Sequence, residues 1–177
     1  MAGQGTRALE ALRRAGVAHD VREYESAGPS GRALGDRPAY GLEAARALGV
    51  DPARVFKTIV ARVDGRLVLS IVPVDRSLDL RALAAALGGR TAELATPTDA
   101  ERATGSVVGG ISPLGSRRSL PAVLDESAFG HARILVSAGR RGLQVELAPA
   151  DLARLASAAS ARIGRTNGTG DLVNETE

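Results

Sequence analysis

The chain of 177 residues has no cysteine and no tryptophan, and aromatic residues make up only 2% of it. Without cysteine there is no disulfide, no thiolate metal site and no cysteine nucleophile on the protein, which fits a reducing compartment. With Phe56, Phe129, Tyr24 and Tyr40 as the only aromatics, the core has to be assembled from Ala, Val, Leu and Ile. No apolar run approaches the length of a membrane span, and residues 1–10 lack the basic and apolar regions of a signal peptide. The expected address is the cytoplasm, with no membrane contact.

Lysine is almost missing too. Of the 23 Lys and Arg residues one is a lysine, Lys57, and 22 are arginines. A lone lysine in such a background is either the chance survivor of a codon bias or a position where a compact ammonium cannot be exchanged for a guanidinium. Composition does not separate the two. The net charge of +3 predicts weak non-specific RNA affinity unless Arg117, Arg118, Arg140 and Arg141 gather on one face.

What is present reads as one domain over residues 1–164, followed by a disordered tail over 165–177. Residues 6–15 carry an apolar helical stripe stopped by Gly16, and residues 17–24 alternate as a half-buried strand. Residues 26–38, rich in Gly, Pro, Ser and Arg, read as a mobile loop. A short helix at 42–48 precedes two β-branched runs, 55–63 and 67–74, joined by Asp64-Gly65, a strong hairpin signal that puts Lys57 on a strand. Helices are expected at 78–87, 97–103 and 150–158, and strands at 91–94, 122–124, 132–137 and 143–147. Interspersed helices and strands with a tight hairpin predict an α/β (α+β) fold, a mixed and mostly antiparallel sheet surrounded by helices.

Familiar hydrolytic machinery is lacking. No HExxH, GxSxG or phosphate-loop pattern occurs, and His19 and His131 have no metal-ligand spacing, so both read as surface or edge residues. The segment 104–115, TGSVVGGISPLG, is too rich in glycine to be a helix or central strand. Its paired glycines allow close approach to a ligand and free N–H groups for an oxyanion, yet such loops also serve as plain connections. Residues 137–142, SAGRRG, read alone as a hairpin turn with solvated arginines.

In this order the pieces resemble the bacterial YbaK-type Cys-tRNA(Pro) deacylases, within the wider family of prolyl-tRNA-synthetase-associated editing domains. The resemblance is carried by Tyr24, by Val55-Phe56-Lys57-Thr58, by Thr104-Gly105, by the run from Val108 to Gly115, and by Val136-Ser137 with Arg141-Gly142-Leu143 and Val145-Glu146-Leu147. It spans about residues 6–160. It implies a pocket that receives the aminoacylated 3′ acceptor end of mischarged tRNA and hydrolyses its ester, with no metal and no cofactor, and with prolyl-tRNA synthetase as a candidate second partner. The family's essential lysine falls on Lys57, which would position the substrate rather than attack it, while the amides of Gly109 and Gly110 stabilise the oxyanion. Tyr24, Tyr40, Thr58, Ile111, Ser112 and Ser137 fall on substrate-binding positions. In the family's mechanism the thiol of a cysteinyl ester attacks its own carbonyl, so the enzyme needs no base. The chain departs from the pattern in its long 26–38 loop, in Ala39-Tyr40-Gly41, where Asn or His and then Phe-Gly is common, and in Gln144, where an acidic residue or serine occurs. Those departures leave open another small aminoacyl ester, such as alanyl, and a non-catalytic module that binds tRNA or a synthetase.

Overall fold

A computed structural model describes residues 5–26 and 40–166. Apart from Ser26, the expected 26–38 loop lies outside the described residues, as does the tail from residue 167 onward. Thr6 accepts a hydrogen bond from the Leu9 amide at 3.2 Å and so caps α1 (Arg7–Ala15), which buries Ala8, Leu9 and Leu12 and ends at Gly16 in the left-handed region, φ +64°. Strand β1 (Asp20–Glu23) follows, then α2 (Tyr40–Leu48), β2 (Val55–Val63) and β3 (Arg66–Pro73). Next come β4 (Arg76–Leu78), α3 (Leu80–Ala86), β5 (Ala92–Leu94) and α4 (Pro97–Thr104). The chain closes with β6 (Ala122–Asp125), β7 (Ile134–Ser137), β8 (Leu143–Leu147), α5 (Pro149–Leu155), β9 (Ala158–Ala161) and β10 (Gly164–Thr166).

The main sheet has the order β1-β8-β7-β2-β3-β6-β9, with β5 added beside β2, and β10 pairs with β4 separately. Pairing is antiparallel except for β2 with β7, β3 with β6 and β6 with β9. This is the mixed, mostly antiparallel sheet with helices that the sequence pattern predicts. One core cluster, including Phe56, Ile71, Leu124, Val136 and Leu147, packs with the apolar stripe of α1 and with Leu152 of α5; another, including Ile59, Val68 and Val123, packs with Leu83 and Ala84 of α3. Among the described residues no helix is long and apolar enough to cross a membrane.

Strand β2 organises everything near Lys57. Along one side it pairs with β3 over its full length, Phe56 opposite Pro73 through Val63 opposite Arg66. The turn uses Asp64 at φ +47° and Gly65 at φ +83°, the left-handed pair a two-residue hairpin demands. The amides of Thr91 and Arg90 hold the Asp64 carboxyl below the usual carboxylate range and tie the turn to the residues before β5. Along its other side β2 pairs with β7 only at Val55 and Phe56, and with β5 only from Ala61 to Val63. Residues 57–59 therefore have no strand partner on that side among the described residues.

Three boundaries differ from expectation. The helix expected over 150–158 stops at Leu155, and Ala158–Ala161 instead forms β9, parallel to β6. An Ala-Ala-Ser-Ala stretch carries no β-propensity, so its strand state comes from the neighbouring strand. Leu78 belongs to β4, and α3 begins at Leu80 under the cap of Asp79, which accepts from the Ala82 amide at 3.0 Å. Arg165 and Thr166, expected at the start of a disordered tail, pair with Ser77 and Arg76.

Asp125 joins these late strands to the sheet. It is 1% exposed, its Oδ1 accepts from the amides of Ile163 at 2.9 Å and Gly164 at 2.7 Å, and its Oδ2 accepts from the Ser127 hydroxyl at 2.5 Å. Asp125→Ala leaves buried donors unpaired and is expected to cost about 3 kcal/mol, read from urea unfolding, with Asp125→Asn intermediate.

Candidate active site

The break beside residues 57–59 is where a cleft forms. Its lining includes Tyr40 and Gly41 from α2, Val55, Phe56, Lys57 and Thr58 from β2, Gly109 and Ile111 from the glycine-rich segment, Ser137 from β7 and Gln144 from β8. Its volume is about 20 Å³, close to that of a single water-sized group. Lys57 is half-buried, on the strand where the hairpin pattern puts it.

Several bonds hold the glycine-rich segment over the cleft. The Val108 amide donates to Glu101 Oε1 at 2.9 Å, while the Val108 carbonyl accepts from Arg141 Nε at 2.9 Å and from a second guanidinium nitrogen at 2.6 Å. The same guanidinium lies 4.5 Å from the centre of the Tyr40 ring, a cation–π contact between the β7–β8 turn and α2. Gly109 sits at φ +89° beneath them, and a Cβ there would stand 2.7 Å from the Tyr40 ring and 2.8 Å from Arg141 Nε. Both conformation and space require glycine. A Cβ at Gly110 would meet the Arg140 and Arg141 backbone at 2.8 Å.

Of the residues expected to act on substrate, Lys57, Gly109, Tyr40, Thr58, Ile111 and Ser137 meet at the cleft. Ser137 also anchors the loop: its hydroxyl donates to the Gly110 carbonyl at 3.0 Å and accepts from the Gly139 amide at 3.2 Å. The two loop amides are not equivalent. Gly110 N–H donates to the Val107 carbonyl at 2.9 Å, whereas Gly109 N–H has no hydrogen-bond partner among the described residues. Tyr24 and Ser112 are not among the lining residues; the Tyr24 amide bonds to the Gly142 carbonyl, and the Ser112 hydroxyl accepts from the Leu114 amide at 3.2 Å within a buried turn. His19 lies near β1, its Nδ1 2.7 Å from the Val17 carbonyl oxygen, and His131 follows the short turn after β6; neither lines the cleft.

Gln144 and Arg141 carry more of the site than their sequence context suggests. Thr58 and Gln144 are 3% and 6% exposed, and the Thr58 hydroxyl and Gln144 Oε1 have no hydrogen-bond partner among the described residues. Two unpaired buried polar atoms lining one small cleft are an expensive arrangement unless a ligand or water completes them. Gln144 could have been found from strand register, since it stands opposite Ser137 in the β7–β8 pair.

A family model for the aminoacyl-tRNA editing domain matches residues 37–155. The chain belongs to the aminoacyl-tRNA editing domain family. Among its relatives is EbsC of Enterococcus faecalis, a protein named for Cys-tRNA(Pro)/Cys-tRNA(Cys) deacylase activity, 39% identical over 121 residues that cover 67% of this chain and 73% of that one. Another is ProXp-y of Escherichia coli K12, named a multifunctional Ser/Thr-tRNA deacylase, 34% identical over 115 residues, or 62% of this chain and 69% of that one. A crystal structure described as a trans-editing enzyme for prolyl tRNA synthetase superposes with a TM-score of 0.76 at 26% identity, over 90% of this chain and 95% of the other. In this editing domain the segment GGISPLG, Lys57 and the Ser137–Gly142 turn thus belong to one structural unit.

The clasp over Gly109 is testable through stability alone. A double-mutant cycle between Tyr40→Leu and Arg141→Met is expected to give a coupling of about 0.5–1 kcal/mol in urea unfolding. In a Gly109→Ala background, which displaces both side chains, the coupling should vanish.

Proposed function

We propose that this editing domain is a trans-acting deacylase that hydrolyses the ester of mischarged tRNA, with Cys-tRNA(Pro) as its leading substrate. The observation that carries the reading is the meeting at one small cleft of Lys57 with the Gly109 amide, the Thr58 hydroxyl and Gln144 Oε1, the last three without a hydrogen-bond partner among the described residues. An aminoacyl ester is already activated, so positioning and charge stabilisation do most of what catalysis requires. In this reading Lys57 holds the ester or the terminal ribose-phosphate, Gly109 N–H faces the developing oxyanion, and Tyr40 and Ile111 wall the cleft. Gly110, its amide engaged with Val107, acts by shaping the loop.

For a cysteinyl ester the substrate sulfur attacks the carbonyl carbon, the bond to the ribose oxygen breaks, and the thiol proton passes to that oxygen. Water then opens the thiolactone released. No protein nucleophile or base is required. A thiol or hydroxyl on the amino acid also matches the unpaired Thr58 and Gln144 atoms. Because a seryl hydroxyl fits the same atoms, seryl- or threonyl-tRNA is the second reading; an alanyl group has nothing to offer them. Charged tRNA and prolyl-tRNA synthetase are the partners this activity calls for, and the cytoplasm the place where they meet.

Lys57→Ala is expected to lower kcat/KM on Cys-tRNA(Pro) by on the order of 10²–10³-fold with the fold intact. Lys57→Arg should fail to restore it, because the planar guanidinium is a different shape from the ammonium. Wild-type protein that hydrolyses no aminoacyl-tRNA faster than buffer does would overturn the proposal.

A further inference from the structure

On another part of the molecule a polar trough of about 360 Å³ runs between the β2–β3 turn, α4 and the segment before β6. Its lining carries Arg62, Arg66, Arg102 and Arg118 against a single carboxylate, Asp99. Arg62 and Asp99 pair with each other at 2.8 Å, and that hydrogen bond is the first reason the Asp99 carboxyl lies below its usual range. Arg66, Arg102 and Arg118 are exposed; Arg102 is attracted to Asp99 as well, while Arg66 and Arg118 have no side-chain hydrogen bond or ion pair among the described residues. A second depression of about 400 Å³, lined by Arg117 and Arg118 and by residues 113–116 of the glycine-rich segment, continues from it.

We infer that this arginine trough is a phosphate-backbone site that holds the RNA stem of the substrate while the 3′ end occupies the Lys57 cleft. The inference rests on the deacylase reading and adds a binding surface to it. With a net charge of only +3, cations have to be concentrated to hold RNA, and here four arginines against one carboxylate line one concave, polar surface. Guanidinium forks match phosphate oxygens two at a time, and a mostly polar lining with no aromatic anchor suits a phosphodiester chain better than a protein partner. Position agrees. Arg62 lies four residues along β2 from Thr58, which lines the cleft from the same face of the strand, about 13 Å, within reach of a short single-stranded 3′ end. The glycine-rich segment borders the cleft at Gly109 and the second depression at Pro113–Ser116, so one loop links the two sites.

The test compares wild type with Arg66→Glu/Arg102→Glu/Arg118→Glu on two substrates, mischarged full-length tRNA and the same amino acid esterified to a CCA trinucleotide. On tRNA the variant should raise KM about tenfold or more at unchanged kcat, and the salt slope of log KM should fall by about 0.9 for each duplex phosphate contact removed. The trinucleotide ester should be hydrolysed as by wild type. An unchanged KM on tRNA, or an equal loss on both substrates, overturns the trough. If wild type hydrolyses neither substrate, the deacylase reading fails, and fluorescence anisotropy with uncharged tRNA still decides the trough: binding lost in the variant supports it, binding retained refutes it. Saturable binding of inorganic phosphate, or of prolyl-tRNA synthetase, that depends on these arginines while tRNA affinity does not would also overturn it. Should the triple variant misfold, Arg102→Gln alone, expected to reduce the salt slope by about one contact, replaces it.

Discussion

One guanidinium sets the geometry on which the site depends. Arg141 donates twice to the Val108 carbonyl and lies over the Tyr40 ring, and both contacts require that residue 109 have no side chain. The clasp joins three elements distant in sequence: α2, the segment after α4, and the turn between β7 and β8. It turns the peptide that follows Val108 so that one backbone N–H, that of Gly109, is left without an acceptor among the described residues at the edge of the cleft. Ser137, bonded to the Gly110 carbonyl, and Glu101, bonded to the Val108 amide, fix the segment from either side.

The clasp acts on an opening that the sheet itself provides. β2 is covered on one side by β3, but β7 and β5 share its other side, and among the described residues neither strand pairs with its middle, at Lys57 and Thr58. A continuous neighbour there would close the cleft. The back of the site is stiffened by α1, whose capping residue Thr6 donates its hydroxyl to the Ala138 carbonyl at 2.5 Å, while Gly115 fits against the Arg7 and Ala8 backbone with no room for a Cβ. Glycines along this segment are therefore placed by packing at least as much as by chemistry.

Much of this was legible beforehand where the signal is local. Asp64-Gly65 announced the hairpin, Gly16 marked a helix end, and the GGISPLG run with Lys57 carried the family. What could not be read depends on distant partners. Ala158–Ala161 and Gly164–Thr166 become strands only because β6 and β4 are there to pair with them. Arg141 read as a solvated turn arginine, since nothing in its neighbourhood in sequence reveals Val108 or Tyr40. Ser112 and Tyr24 match family positions, whereas in the fold the Ser112 hydroxyl accepts from the Leu114 amide and the Tyr24 amide donates to the Gly142 carbonyl. Gln144, met first as a departure from the pattern, supplies one of two unpaired polar atoms in the cleft and bears on which amino acid is accepted.

The central claim is that the ester is held at the break in β2, between the Lys57 ammonium and the Gly109 amide, with the amino-acid side chain toward Thr58 and Gln144. A crystal structure with a non-hydrolysable amide analogue of 3′-cysteinyl-adenosine tests it most directly. The analogue carbonyl is expected within hydrogen-bond distance of Gly109 N–H, with Lys57 against the ester or ribose oxygens and the sulfur facing Thr58 and Gln144. An analogue seated elsewhere, or in the cleft with its carbonyl turned away from Gly109 and Lys57, would contradict it.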